Sequence, residues 1–314
     1  MGSCNVGRMP TSAERYRAAR TARMRELTGA PGFRRNRFLA AIPGIVIGLI
    51  VMAGLRSIGV GAVVALVAGA AGPLIYWWSA YHRASTEARE SVMTAWASEH
   101  GWTHSEQIDP PGDIAFCRNR QKPRASDGFA GPMCGLDGLI FNFTYSTYET
   151  RTRTVTDANG NVRTETYQQE VKHHHTVLRL GLGEIPGIPT MQLSQKRFAM
   201  FDKLVAAFGP SRVEGTESSE FNDRYRLLVS DSADEIAVKR VFTPALIVQV
   251  VQGTFPQTTF QFEGSGISFI WEDTYNVEEL EEVEQRVSAV APLTTALRTA
   301  IQPLQAQAQA VSNP

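Results

Sequence analysis

Residues 139–180 read LIFNFTYSTYETRTRTVTDANGNVRTETYQQEVKHHHTVLRL, and this stretch decides the fold of the larger part of the chain. Leu139, Phe141, Phe143 and Tyr145 alternate with Ile140, Asn142, Thr144 and Ser146, the period of two that sends successive side chains to opposite faces of a strand. Further on, Asn159-Gly160 is the dipeptide that favours a two-residue type I′ turn. With those two residues as the turn, Ala158 pairs with Asn161, Phe141 faces Leu178, Leu139 faces Leu180 and Tyr145 faces His174. The reading is one long β-hairpin, 139–180, with a shared apolar face on its inner half. Its outer half, 149–170, carries Thr, Arg, Glu and Gln on both faces. Ten residues at about 3.3 Å each project a polar arm of roughly 33 Å. A two-stranded ribbon alone is only marginally stable in water, so the arm calls for a protein partner or a second copy of the chain.

The rest of the region 105–303 reads as a mixed, mainly antiparallel α+β domain. Residues 105–138 are rich in Pro, Gly, Asp and Arg and read as loops around one short strand at 114–117. Residues 196–208 have a helical pattern closed by Gly209-Pro210, 224–230 reads as a strand and 233–242 as a helix. Thr243-Pro244 then caps and starts a further short helix. Strands 258–263 and 267–272 form a second hairpin, 277–290 is an amphipathic helix, and 304–314, rich in Gln and Ala, reads as a flexible tail.

Composition excludes several classes. With 314 residues, 43% of them hydrophobic, 31 basic against 31 acidic side chains, three Cys and a mean hydropathy of −0.17, the chain is no disordered tail, collagen repeat, disulfide scaffold or many-span transporter. The zero net charge is a sum of opposites. Residues 1–37 hold nine Arg against Glu14 and Glu26, residues 38–78 hold only Arg56, and 79–314 are net acidic.

The nearly uncharged segment reads FLAAIPGIVIGLIVMAGL, then RS, then IGVGAVVALVAGAAGPLIYWW. About 20 apolar residues cross a hydrocarbon core of about 30 Å as helix, so 38–78 predicts a transmembrane hairpin of 38–55 and 58–78 turning at Arg56-Ser57. Gly44 and Gly48 form a GxxxG, and Gly61, Ala65 and Gly69 repeat at four, small residues that let two helices approach. Trp77 and Trp78 suit a headgroup boundary. Arginines, among them Arg34, Arg35 and Arg37, crowd one side of the hairpin. The expectation is therefore an inner-membrane protein with both termini and the large domain cytoplasmic, its Arg arm, 1–37, on anionic lipid. A juxtamembrane helix, 79–104, follows. No aromatic pattern or fold motif supports nucleic acid as a partner.

WASEHGW at 96–102, the aromatic strand LIFNFTYS, the return strand HHHTVLRL, the stretch ESSEFNDRYRLLVSDSADEIAVKRVFTPALI and FEGSGISFIW occur in an order that resembles a group of actinobacterial two-span membrane proteins. That group is similar to the bacterial domain-of-unknown-function family numbered 3137. The resemblance covers about 90–303. It implies a membrane-anchored cytoplasmic domain and supplies no activity, ligand or catalytic residue.

Residues able to carry chemistry are few. His173, His174 and His175 are the strongest metal candidates, yet strand alternation leaves only His173 and His175 on one face, near Ser146 and Thr144, with no local third ligand. The Cys117 and Cys134 pair lacks CxxC spacing. Glu217, Glu220, Asp223 and Asp231 stand beside Arg224 and Arg226, which reads as a salt-bridged surface. There is no phosphate loop, nucleophile elbow or HExxH motif, and no cofactor is implied. The sequence points to a membrane-anchored binding or scaffold module without catalytic machinery. The alternatives are a membrane-associated hydrolase using acidic or His residues, and an accessory subunit of a transport or channel assembly.

Overall fold

The structure, a computed structural model, describes residues 10–43, 45–47, 50, 58–156, 162–183, 189–196, 211–253, 258–263 and 265–312. The chain divides into two compact units.

The first unit comprises residues 1–96 with 277–280. Helix α1 (Ser12–Gly29) begins on a capping box: the Thr11 hydroxyl accepts from the Glu14 N–H, and the Glu14 carboxylate accepts from the Thr11 N–H at 2.9 Å. Helix α2 (Pro31–Leu39) follows, then the 42-residue α3 (Ile58–Glu99). Polar side chains join α1 to α3. The Tyr16 and Ser85 hydroxyls lie 2.7 Å apart, Arg20 donates to the Tyr81 hydroxyl at 3.1 Å, and Arg23 pairs with Glu87. The Phe33 ring lies 5.2 Å from that of Tyr76, and a side chain at Gly72 would strike the backbone of Ala40.

This unit corrects the expected membrane hairpin. Among the described residues no helix is long and apolar enough to cross a membrane, which overturns the two-span fold, the transmembrane assignment and the inner-membrane location. The apolar stretch 58–78 is the first half of a helix that continues through His82, Arg83, Glu87, Arg89 and Glu90. Apolarity and small residues in this segment also serve contact between α3 and residues 33–45. The turn at Arg56-Ser57 lies outside the described residues.

The second unit comprises residues 97–276 with 281–314. It opens on the end of α3, where Gly101 at φ 71° lets the Trp102 N–H reach the Ala97 carbonyl (2.8 Å) and its own N–H reach that of Ser98 (3.1 Å). This is the paired hydrogen bonding that closes a helix on a left-handed glycine. Among the described residues nine antiparallel strands then form one sheet: β1 (Thr103–Ile108), β2 (Gln121–Met133), β3 (Leu136–Thr156), β4 (Val162–Gly181), β5 (Met191–Gln195), β6 (Ser211–Glu214), β7 (Tyr225–Ser230), β8 (Thr258–Glu263) and β9 (Gly266–Trp271). Their order across the sheet is β1-β2-β3-β4-β9-β8-β5-β7-β6.

Register sorts the sheet's two faces. Phe129, Ile140, Leu178, Phe269, Phe260, Leu193 and Leu227 are successive cross-strand partners on seven strands, and all are buried. Helices cover this apolar line. Helix α7 (Leu280–Ser312) buries Val283, Val287, Val290, Leu293 and Leu297, and Arg286 on it donates to the Thr176 hydroxyl at 2.8 Å. Two hydrogen bonds hold the approach to α7: the Asn142 amide donates to the Tyr275 carbonyl (2.8 Å) and accepts from the Tyr275 N–H (3.1 Å). Farther along the same face lie α4 (Ser219–Arg224), α5 (Glu235–Val241) and α6 (Pro244–Gln252). Tyr225 on β7 donates to the Val250 carbonyl of α6, and Phe242 after α5 packs edge-on to Phe262.

One residue over, the opposite face carries the polar line Arg179, Ser268, Gln261 and Gln192, again as successive partners. A one-turn 3-10 helix, Ala115–Cys117, sits against this face. Its Ala115 and Phe116 N–H groups donate to the side-chain oxygens of Glu263 (2.5 Å) and Gln261 (3.1 Å). Beside that anchor Ile114, Phe116 and Cys117 form a core with Phe141, Phe143, Tyr145, Val177 and Ile270.

Several finer readings change. Residues 105–138 hold β1, β2 and the 3-10 turn in place of loops around one strand. Cys134 and Gly135, at φ 54° and 72°, make the two-residue turn between β2 and β3, the double positive φ of a type I′ turn. Phe141 pairs with Val177 and Tyr145 with His173, one residue away from the expected register, while Asn159 and Gly160 lie outside the described residues. Most of the helix expected at 196–208 also lies outside them. Helix α7 runs to Ser312, through what reads in sequence as a flexible tail.

Candidate functional site

Strands β3 and β4 outrun their neighbours. β2 accompanies β3 only to Ser146, and β9 accompanies β4 only from Thr176. Ten further pairs, Thr147–Val171 through Thr156–Val162, continue as a free two-stranded ribbon of about 33 Å.

The register gives this ribbon two different faces. One carries Glu149, Arg151, Arg153, Glu165, Tyr167 and Arg163, where Arg153 and Arg163 both pair with Glu165 at 3.0 and 2.7 Å. The other carries Thr150, Thr152, Thr154 and Thr156 opposite Gln168, Thr166, Thr164 and Val162, with no charge. At its inner end this second face meets Glu170, which accepts from the Ser146 hydroxyl (2.6 Å) and pairs with Lys122 (2.9 Å). Those contacts, the hydroxyl first, hold the Glu170 carboxyl below its ordinary range. Exposed pairs of this kind are screened by water and contribute little, so they set the ribbon's surface pattern more than its stability.

The histidines stand at the ribbon's base. His173 and His175 share a face, as alternation requires, but with Tyr145 and Phe143 and not with Ser146 and Thr144. The Tyr145 ring stacks on His173 (4.8 Å) and His175 (5.5 Å), and the Arg120 guanidinium lies 4.6 Å from its centroid. His175 is buried. Its Nδ1 lies 3.2 Å from the Trp271 carbonyl, and burial pushes its pKa down to about 4, so the ring is neutral at neutral pH. His173 Nε2 lies 2.8 Å from the Thr147 hydroxyl, and His174, on the other face, has Nδ1 3.4 Å from the Thr144 hydroxyl. Among the described residues no group of three or more His, Cys, Asp or Glu is arranged to hold a metal ion.

Other candidates are dispersed. Burial raises the pKa of both Cys117 and Cys134, away from the thiolate needed for nucleophilic work, and the Cys134 thiol donates to the Val287 carbonyl. Glu220 pairs with Arg224 at 3.1 Å, whereas Glu217 lines a groove of about 700 Å3 with Glu214 and Glu235.

In the first unit Arg35 is exposed, Trp77 stacks on Tyr81 at 5.8 Å and Trp78 meets His82 edge-on at 4.0 Å. Gly69 faces Ile45, and Gly61 and Ala65 lie in α3. Gly44 and Gly48, like the side chains of Arg34 and Arg37, fall outside the described residues.

Sequence reasoning missed Arg120, Phe116, Gln261 and Glu263. The first two come from a segment too short to show a period. The last two are polar residues on a strand buried on both faces, and their role emerges only when the 3-10 turn is seen to rest on them.

No protein-family model matches the chain, and no curated protein matches it. Among solved structures it is similar to a crystal structure of the mycobacterial trehalose monomycolate transport factor A, TtfA, at 13% identity and a TM-score of 0.38. The match covers 65% of this chain and 93% of that one. A likeness of that size carries no argument about activity or ligand.

Proposed function

We propose that this chain is a protein-binding or scaffold module whose β3–β4 ribbon is the partner contact. The observation behind the reading is the ribbon: ten residue pairs run past the neighbouring strands, and among the described residues no strand flanks either of its edges. An open edge offers unpaired N–H and C=O groups that a partner strand satisfies, and the two faces offer a charged and an uncharged surface to choose between. The resemblance to the domain-of-unknown-function family belongs to the same proposal and brings no activity with it. An accessory subunit of a transport assembly is the finer form of the reading.

Replacing 149–170 by a short turn tests it. The sheet below Ser146 keeps its neighbours, so the shortened chain folds. Cross-linking followed by mass spectrometry in cells then compares the two chains. Loss of the main partners with the ribbon supports the proposal, and the identity of those partners decides the finer form. Retention of every partner by the shortened chain sinks it.

A further inference from the structure

At the end of the sheet's strand order, away from the ribbon, β6 has β7 on one side and, among the described residues, no strand on the other. Among the described residues its outer N–H and C=O groups thus form a short open edge, the feature to which an extended peptide adds as a further strand. Beside it lies the groove of about 700 Å3, within the range of sites that bury a ligand. Leu227, Phe242 and Ile247 are among the apolar side chains that line it, and the edge residue Glu214 is part of its wall. A strand added to β6 therefore lays the side chains of one of its faces into the groove. Side chains of its other face meet Val213, an edge residue 64% exposed on the far side of β6. On the groove side Val248 is 45% exposed and extends the apolar surface past the mouth.

Charge selects the occupant further. Arg212 pairs with Glu214 at 3.1 Å and Lys239 with Glu235 at 2.7 Å. Glu217 on the same rim is exposed and has no ion pair among the described residues, so the mouth carries a net negative charge. The Lys239 ammonium is held above its ordinary pKa, first by its hydrogen bond to Glu235 and also by the field of Glu217 and Glu214. We infer that the β6 edge and this groove form a second binding site, for an extended cationic peptide with alternating apolar side chains. It is independent of the ribbon.

The test uses the full chain and a fluorescein-labelled heptapeptide of alternating lysine and valine, followed by fluorescence anisotropy. Binding saturates. N-methylating the amides along one edge of the peptide abolishes it, and N-methylating the other edge leaves it intact, because only one edge bonds β6. Glu217→Lys weakens binding about fivefold at low salt, and Val248→Glu weakens it more than tenfold by placing charge against the apolar wall. Both positions are exposed, and unchanged circular dichroism and Tm exclude misfolding. Absence of saturation up to about 1 mM peptide, or indifference to either the N-methylation pattern or both substitutions, overturns the inference. So does a dimer abolished by Val248→Glu without peptide binding, which assigns the groove to a second copy.

Discussion

His175→Gln should flatten the chain's acid sensitivity. In the folded chain His175 is neutral, with its Nδ1–H donating to the Trp271 carbonyl and its ring between Tyr145 and the edge of Phe116. Its pKa falls from 6.5 to about 4, chiefly through burial. The depressed pKa fixes the sign: the unfolded chain takes up the proton first. The stability is whole above about pH 6.5 and is lost as pH falls, until the folded ring is protonated too near pH 4. A shift of this size corresponds to about 3 kcal/mol at full development, of which about 2–3 kcal/mol has gone by pH 4.5. Glutamine keeps a donor for Trp271 and cannot titrate. Urea unfolding of both chains at pH 7.5, 6.5, 5.5 and 4.5 should give a stability difference that moves toward the variant by that amount. Parallel pH profiles would refute the argument, and would mean that the ring is hydrated or relocates when charged.

Two further predictions concern the covers of the sheet. Asn142→Ala orphans the buried N–H and C=O of Tyr275 and should cost about 2–4 kcal/mol in chemical denaturation; a loss under 1 kcal/mol would mean that water takes over both groups. Gly266→Ala drives a Cβ into the Arg179 guanidinium, which already holds Asp113 at 3.1 Å and the Ser265 hydroxyl at 3.0 Å. The same Cβ strikes the Leu180 backbone carbonyl. A destabilisation of about 1–3 kcal/mol in thermal melts is expected, and an unchanged Tm would show that the arginine swings clear and the backbone shifts without loss.

Legibility in the sequence followed the length and punctuation of each segment. The alternation from Leu139 to Ser146 and the GSG between 258–263 and 267–272 mark strands, and β3, β8 and β9 stand there. Thr243-Pro244 marks a helix start, and the Thr243 hydroxyl accepts from the Leu246 N–H at 3.3 Å. By contrast, β2 contains Pro123, Pro132, Gly128 and Gly131 and is interrupted by bulges near Lys122 and Asp127, both at positive φ. Those residues read as loop because each marks an irregularity in a strand held by two neighbours. The apolar run at 38–78 misled for another reason. Hydropathy measures how strongly a segment leaves water and says nothing of what receives it, whereas α3 joins the second half of that run, 58–78, to a charged continuation in one helix.

The register of β3 against β4 shows where pattern reasoning reaches its limit. It assumed that an inner strand has one buried and one solvated face, so that matching apolar residues across the pair selects a unique alignment. Here Ile140 and Phe141, neighbours on opposite faces, are both fully buried, one in the apolar line beneath the helices and the other against the 3-10 turn. With apolar residues wanted on both faces, a shift of one residue leaves the pattern plausible, and a turn preference at Asn159-Gly160 then tips the choice. The structure decides otherwise because β4 must also meet β9, with Val177 opposite Ile270 and Leu178 opposite Phe269. Six such pairs, mostly buried, outweigh one turn dipeptide. The same one-residue difference places His173 and His175 beside Tyr145, and its continuation along the ribbon gathers the threonines on one face and the charges on the other. Which surface a partner meets is thus set by packing at the far end of the strands, about 50 Å from the ribbon's tip.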